Sequence, residues 1–136
     1  MALGARNAII IYDPSLTQAI QPNADGSINV EIMSGGGAAL FAPVAVSASG
    51  TIVAAIASKI IRVVALQLIA NGTVNVKWQS STGSVDLTGL AYLVANAGYV
   101  LPFNPAGWFQ TAAGDDLDIS LSAGVAVGGS LTYVRL

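Results

Sequence analysis

The sequence predicts an all-β sandwich. Short runs of alternating apolar and polar residues, bounded by Gly, Asn, Pro or Ser, recur along the chain. Helical signals are nearly absent: no stretch keeps an i, i+3, i+4, i+7 apolar stripe between a good N-cap and a C-terminal Gly for three turns. Many short strands at this spacing make a sandwich or a barrel. A chain of 136 residues buries roughly two-thirds of its unfolded surface as one domain, whereas two domains would each be too small.

The first 42 residues stand apart. Asp13-Pro14, Gln21-Pro22, Asn23-Ala24-Asp25-Gly26 and Ser34-Gly35-Gly36-Gly37 break them into brief segments. Residues 1–42 therefore read as an extended arm with one strand at 28–33 and a glycine-rich connector. The sandwich is expected over 43–136. An arm of this kind needs hydrogen-bond partners that it does not itself supply, so Arg6, Ile9, Ile10, Ile11 and Tyr12 are the expected contact with a neighbouring subunit.

Within the sandwich, strands are expected at 44–49, 51–57, 60–70, 73–79, 84–87, 99–101, 108–111, 117–121 and 130–136. The clearest is 73–79, where Val74, Val76 and Trp78 alternate with Thr73, Asn75, Lys77 and Gln79. Asn71-Gly72 precedes it and suits the two positive-φ positions of a type I′ turn, so 60–70 and 73–79 are predicted to form a hairpin. Leu117, Ile119 and Leu121 alternate with Asp118, Ser120 and Ser122, and Gly124 with Gly128-Gly129 punctuates the gap before the last strand. Ile60, Ile61, Val63, Val64 and Ala65 read as apolar on both faces. One face should meet the opposite sheet, and the other either a partner subunit or a covering loop. Residues 52–70 approach membrane-spanning length, but Lys59 and Arg62 near the middle each cost about 2.5–3.5 kcal/mol there, so two buried strands fit better.

Composition narrows the function. Charged residues are only 9% of the chain and apolar residues 54%, at a net charge of −2. So weakly charged a surface resists precipitation poorly, and burial in an assembly relieves the problem. The five cations Arg6, Lys59, Arg62, Lys77 and Arg135 never cluster, which argues against a nucleic-acid partner. No secretory signal is expected in residues 1–11, which lack a long apolar run and a cleavage site. The chain has no cysteine and no histidine, so disulfides, thiolate chemistry and the commonest general base and metal ligand are missing.

Two groups remain to be weighed for chemistry. Asp115-Asp116-Leu117-Asp118 offers carboxylates to a calcium ion, but no further acid or Asn cluster completes a cage. A polar turn leading into a strand is the favoured reading, and a paired-carboxylate glycosidase is the remote one. Tyr92, Tyr99, Phe103, Trp108 and Phe109 concentrate over half of the nine aromatic residues. They fit core filling, with Phe103, Pro105 and Trp108 closing one end of the sandwich, better than a sugar-stacking platform. Ser34-Gly35-Gly36-Gly37 lacks the Lys and following helix of a phosphate-binding loop. No cofactor, metal site or catalytic residue is expected.

Residues 104–117, Asn-Pro-Ala-Gly-Trp-Phe-Gln-Thr-Ala-Ala-Gly-Asp-Asp-Leu, and the ending Val-Gly-Gly-Ser-Leu-Thr-Tyr-Val-Arg-Leu resemble a recurrent small protein of tailed bacteriophages. Lys59-Ile60-Ile61-Arg62-Val63, Asn71-Gly72 and Asp86-Leu87-Thr88-Gly89 belong to the same pattern, so the likeness covers about residues 45–136. Within that group the chain is similar to capsid cement, or decoration, proteins of the kind found on a short-tailed Bordetella phage. The resemblance implies a jelly roll on the outer surface of the virion. It would act there as a dimeric clamp on HK97-type major capsid proteins, without nucleic acid or membrane. The alternative is a receptor- or carbohydrate-binding module of a phage fibre or tail.

Overall fold

The computed structural model describes residues 37–136 and, apart from them, Ala24. The strand expected at 28–33 and the contact residues Arg6, Ile9, Ile10, Ile11 and Tyr12 lie outside the described residues.

Ten strands follow in order: β1 (Leu40–Val46), β2 (Gly50–Val53), β3 (Ile61–Ala70), β4 (Val74–Ser80), β5 (Val85–Asp86), β6 (Ala91–Leu93), β7 (Gly98–Leu101), β8 (Phe109–Gln110), β9 (Leu117–Leu121) and β10 (Val127–Arg135). A single 3-10 turn, Thr82–Ser84, precedes β5. β5 and β6 both pair with β4, and β7 and β8 both pair with β3, so ten strands fill eight positions. One sheet runs β1, β10, β3, then β7 with β8; the other runs β2, β9, β4, then β5 with β6. Every pairing is antiparallel. The chain crosses between the sheets at every step except from β4 to β5 and within the split positions. That alternation makes the sandwich a jelly roll.

Alternation built the strands as read. β4 buries Val74, Val76, Trp78 and Ser80 and leaves the residues between them half-covered. β9 buries Leu117 and Ile119. The strand expected at 130–136 begins earlier, at Val127, and the Gly128-Gly129 pair lies inside it rather than in a turn. The cause is close approach: a Cβ on Gly129 would stand 2.0 Å from the Gln67 carbonyl oxygen, with φ at +153°. β6 carries no signal strong enough to have been expected. The expected boundary between residues 42 and 43 falls within β1.

The predicted hairpin does not form. β3 and β4 lie in different sheets and have no ladder between them. Among the described residues positive φ occurs at Ser58, Ser84, Asn96, Gly83, Gly107, Gly114 and Gly129, and at neither Asn71 nor Gly72. Asn71 instead donates its backbone N–H to the Ala126 carbonyl at 2.9 Å, tying the crossing to the start of β10. β3 and β4 each carry a face apolar enough for the core, and packing those faces on each other hides more surface than pairing them side by side.

The core joins inward side chains of both sheets, with Trp78 of β4 fully buried at its centre. Its ring stacks on Phe109 of β8 at 5.8 Å between centroids and 29° between planes. The Trp78 Nε1–H donates to the Tyr99 hydroxyl of β7 at 3.1 Å. One side chain therefore ties the second sheet to both outer segments of the first. Burial pushes the Tyr99 phenol above its ordinary pKa, against the opposing effect of the Trp78 hydrogen bond.

Candidate interaction surface

The outer faces of the two sheets differ in chemistry. On the second sheet, β4 presents Asn75, Lys77 and Gln79, and β9 presents Asp118 and Ser120. Lys77 pairs with Asp86 at 2.8 Å, and the Gln79 amide donates to Asp86 at 2.7 Å. Both contacts hold the exposed Asp86 carboxyl below its ordinary pKa. This is a polar face suited to water.

Apart from Arg62 at one end, the outer face of the first sheet carries no such charges. Its outward rows follow from the registers: Ala45, Gly128, Ile69 and Gly98 form one, and Pro43, Ser130, Gln67 and Val100 the next. Phe41, Thr132 and Ala65 form a third. None of these residues is ionisable. Phe41 is 78% exposed, Val100 69% and Ile69 53%, which is unusual for side chains of their size on one flat face. Arg62, at one end of the face, has its Nε–H committed to the Gln110 side chain at 2.8 Å.

Relief on this face comes from glycine. Ile69 stands between Gly128 and Gly98, which add no side chain to the strands on either side. Two hollows result, of about 510 and 470 Å³, and Ile69 borders both. A ridge flanked by two shallow hollows admits side chains from a protein surface.

The other end of β3 is closed. Val64, an extra residue where the β3–β10 register shifts, is fully buried outside the main core cluster. The loop 102–108 crosses here: Asn104 donates its backbone N–H to the Val64 carbonyl and Trp108 to the Val63 carbonyl, each at 2.8 Å. Asn104 stiffens the loop by accepting from the Ala106 N–H at 3.0 Å and donating to the Gly107 carbonyl at 3.1 Å. A loop therefore covers β3 at its Val64 end, while the Ile69 end is open.

The aromatic group divides in two. Tyr99 and Phe109 pack on the core as expected. Phe103, at 61% exposure, does not close the sandwich end, and Tyr92, at 76%, lies on the surface. Trp108 is 44% exposed, with its indole N–H held by the Pro102 carbonyl at 2.8 Å. The expected core tryptophan of this region yields to Trp78, because the 102–108 loop swings outward over β3.

The acidic run has a structural task. Asp115 is buried and accepts from the Ser80 hydroxyl at 2.5 Å, from the Thr82 N–H at 3.1 Å and from the Thr82 hydroxyl. Ser80 in turn accepts the Ala112 N–H at 3.1 Å. Asp116 accepts the Ala55 N–H, and Asp118 lies on the outer face of β9. Asp115 and Asp116 thus serve separate partners, and among the described residues no group of three His, Cys, Asp or Glu is placed to hold a metal. Alternation in the sequence did not reveal that Asp115 would latch β4 to the turn before β9, since its partners lie more than thirty residues away.

The hydrogen bonds from Ser80, and then Thr82, hold the Asp115 carboxyl below its ordinary value of 3.8. A group depressed in the folded state stabilises the fold at pH above its unfolded pKa and loses that contribution as pH falls through the folded one. Urea midpoints should be flat from neutrality to about pH 5 and fall on acidification below about pH 4. Asp115→Asn should start lower at neutral pH and lose part of that acid slope; an unchanged slope would show that Asp115 is not the group responsible.

No protein-family model, curated protein sequence or solved structure matches the chain.

Proposed function

We propose that this protein is a structural cement, or decoration, component of a tailed-phage capsid. It binds the outer surface of the shell and stabilises contacts between HK97-type major capsid subunits, and it is not an enzyme. The observation that carries the reading is the uncharged stretch of the first sheet's outer face, its three rows clear of Arg62, with Phe41, Ile69 and Val100 exposed and glycine hollows beside Ile69. Covering such a face desolvates no charge, and apolar cores depleted of charge are what distinguish the centres of protein interfaces. The polar second sheet then faces solvent. The sequence resemblance to phage cement proteins supplies the partner, and repetition over a lattice multiplies modest contacts into firm attachment. Of the aromatic group from Tyr92 to Phe109 that a glycan-binding module would use, only Tyr99 borders a hollow, and its hydroxyl is engaged by Trp78 beneath the sheet, so the sugar-binding alternative has less behind it.

The test is reconstitution on purified phage heads stripped of their outer proteins. Wild-type protein should rebind and restore resistance to heat and osmotic shock. The double substitution Ile69→Lys and Val100→Lys should bind at least 100-fold more weakly, since central apolar anchors contribute about 2 kcal/mol or more each, while its melting temperature stays near wild type. Equal rebinding by the double variant, or stripped heads as robust as decorated ones, would sink the proposal.

A further inference from the structure

Asn71-Gly72 does not form the tight turn expected of it, and the peptide group between the two residues is left without a structural task. Asn71 is exposed and Gly72 half-buried, in the bend that carries the chain from β3 to β4. Backbone anchoring stops just short of that peptide. The Ala70 N–H donates to the Ala97 carbonyl at 2.9 Å, the Ala70 carbonyl accepts from the Asn96 N–H at 2.8 Å, and the Asn71 N–H donates to the Ala126 carbonyl at 2.9 Å. Among the described residues, neither the Asn71 carbonyl nor the Gly72 N–H has a hydrogen-bond partner. The other asparagines of the described sandwich are placed differently. Asn75 lies within β4, the Ala97 N–H after Asn96 donates to the Val94 carbonyl at 3.0 Å, and Asn104 precedes Pro105, which has no N–H.

We propose that Asn71 is a site of spontaneous covalent modification, at which its side-chain amide becomes a carboxylate by way of a succinimide ring. Solvent hydroxide removes the Gly72 N–H proton, and the nitrogen attacks the Asn71 Cγ. The bond from Cγ to Nδ2 breaks, and ammonia leaves after taking a proton from water. A water molecule then adds to either ring carbonyl and opens the ring, leaving aspartate or isoaspartate at position 71; nothing is oxidised or reduced. Attack requires a nitrogen that is neither committed to a carbonyl nor screened by a Cβ, and Gly72 meets both conditions. Asn71 borders the hollow of about 510 Å³ together with Ile69 and Gly128, and none of the residues lining that hollow is ionisable. Conversion therefore sets a negative charge on an otherwise uncharged rim. An unpaired carboxylate is costly to cover, so attachment to the shell weakens as the protein ages. That consequence rests on the shell-binding reading, whereas the chemistry at Asn71 does not.

Peptide mapping by mass spectrometry, on the folded full chain stored in warm, mildly alkaline buffer, tests the chemistry. Position 71 should gain aspartate and isoaspartate at least about tenfold faster than Asn75, Asn96 or Asn104, a factor equal to about 1.4 kcal/mol in barrier height. Gly72→Ala should slow the conversion by about as much. That variant should keep its melting temperature, because Gly72 has no positive φ and an added Cβ would meet only the Val125 side chain, at 3.3 Å. Conversion at position 71 no faster than at the other three asparagines, or as fast in Gly72→Ala as in wild type, would overturn the proposal. Rebinding to stripped heads tests the consequence. Asn71→Asp should bind at least about tenfold more weakly than wild type, the penalty of a charge covered without a partner, and Asn71→Gln should bind equally well. Equal binding by Asn71→Asp would overturn the effect on attachment and leave the shell-binding reading standing. A wild type that fails to rebind would overturn that reading and leave the chemistry at Asn71 intact.

Discussion

Trp78→Ala should lower the unfolding free energy by about 3–5 kcal/mol, the range for removing a fully buried large aromatic side chain. That is about a fifth or more of the total for a marginally stable domain of about 5–15 kcal/mol. The magnitude follows from position as well as size. Trp78 is fully buried on β4, stacks on Phe109 of β8 and donates to the Tyr99 hydroxyl of β7. Alanine leaves a cavity between the sheets and strands a half-buried phenol without its donor. Trp78→Phe keeps most of the apolar volume and loses the Nε1–H bond, so it should fall between wild type and alanine. Urea titration of the three proteins checks the ordering. If alanine costs no more than phenylalanine, the sheets are held together chiefly by other contacts.

The second large effect is expected at a residue with no side chain. A Cβ on Gly98 would lie 1.9 Å from the Leu68 carbonyl oxygen and 2.9 Å from the Ile69 Cα, both backbone atoms of β3. Neither atom yields by a rotamer change, so Gly98→Ala must push β7 away from β3. That weakens the ladder joining Leu66 to Leu101 and Leu68 to Tyr99, and it draws Tyr99 from Trp78. The expected cost is at least about 2 kcal/mol, at the upper end for single substitutions. Gly50→Ala is the control, because its Cβ would meet nothing within 4 Å. Relieved of backbone entropy, that variant should be neutral or slightly more stable. Equal midpoints for the two variants would show that β7 accommodates the methyl group freely.

These two sites also show what local pattern reveals and what it hides. Val74, Val76 and Trp78 were legible as a buried face because alternation with period two is a local property, written into seven consecutive residues. Leu117 and Ile119 were legible for the same reason. The pairing of 60–70 with 73–79 was misread because alternation says which side of a strand is apolar and nothing about which strand lies next to it. Asn71-Gly72 is compatible with a tight turn, but the turn forms only when side-by-side pairing is the best use of both strands. Here each strand has a face the core requires, and the chain crosses between sheets instead. Phe103 and Trp108 were assigned to the interior on composition, whereas the loop over Val63 and Val64 carries them outward.

The weakly charged, β-rich character of the chain was present in the sequence from the start, and with it the all-β class. Only the tertiary structure decided that the scarce charges of the described sandwich would leave the Ile69 end of the first sheet's outer face bare, with Arg62 at its far end beside Gln110. Lys77, Asp86 and Asp118 share the second sheet, while the outward rows around Ile69 hold none. The physical reason is that a surface is assembled from strands distant in sequence. Its chemistry is fixed by which strands become neighbours, and that choice belongs to the closing of the whole core.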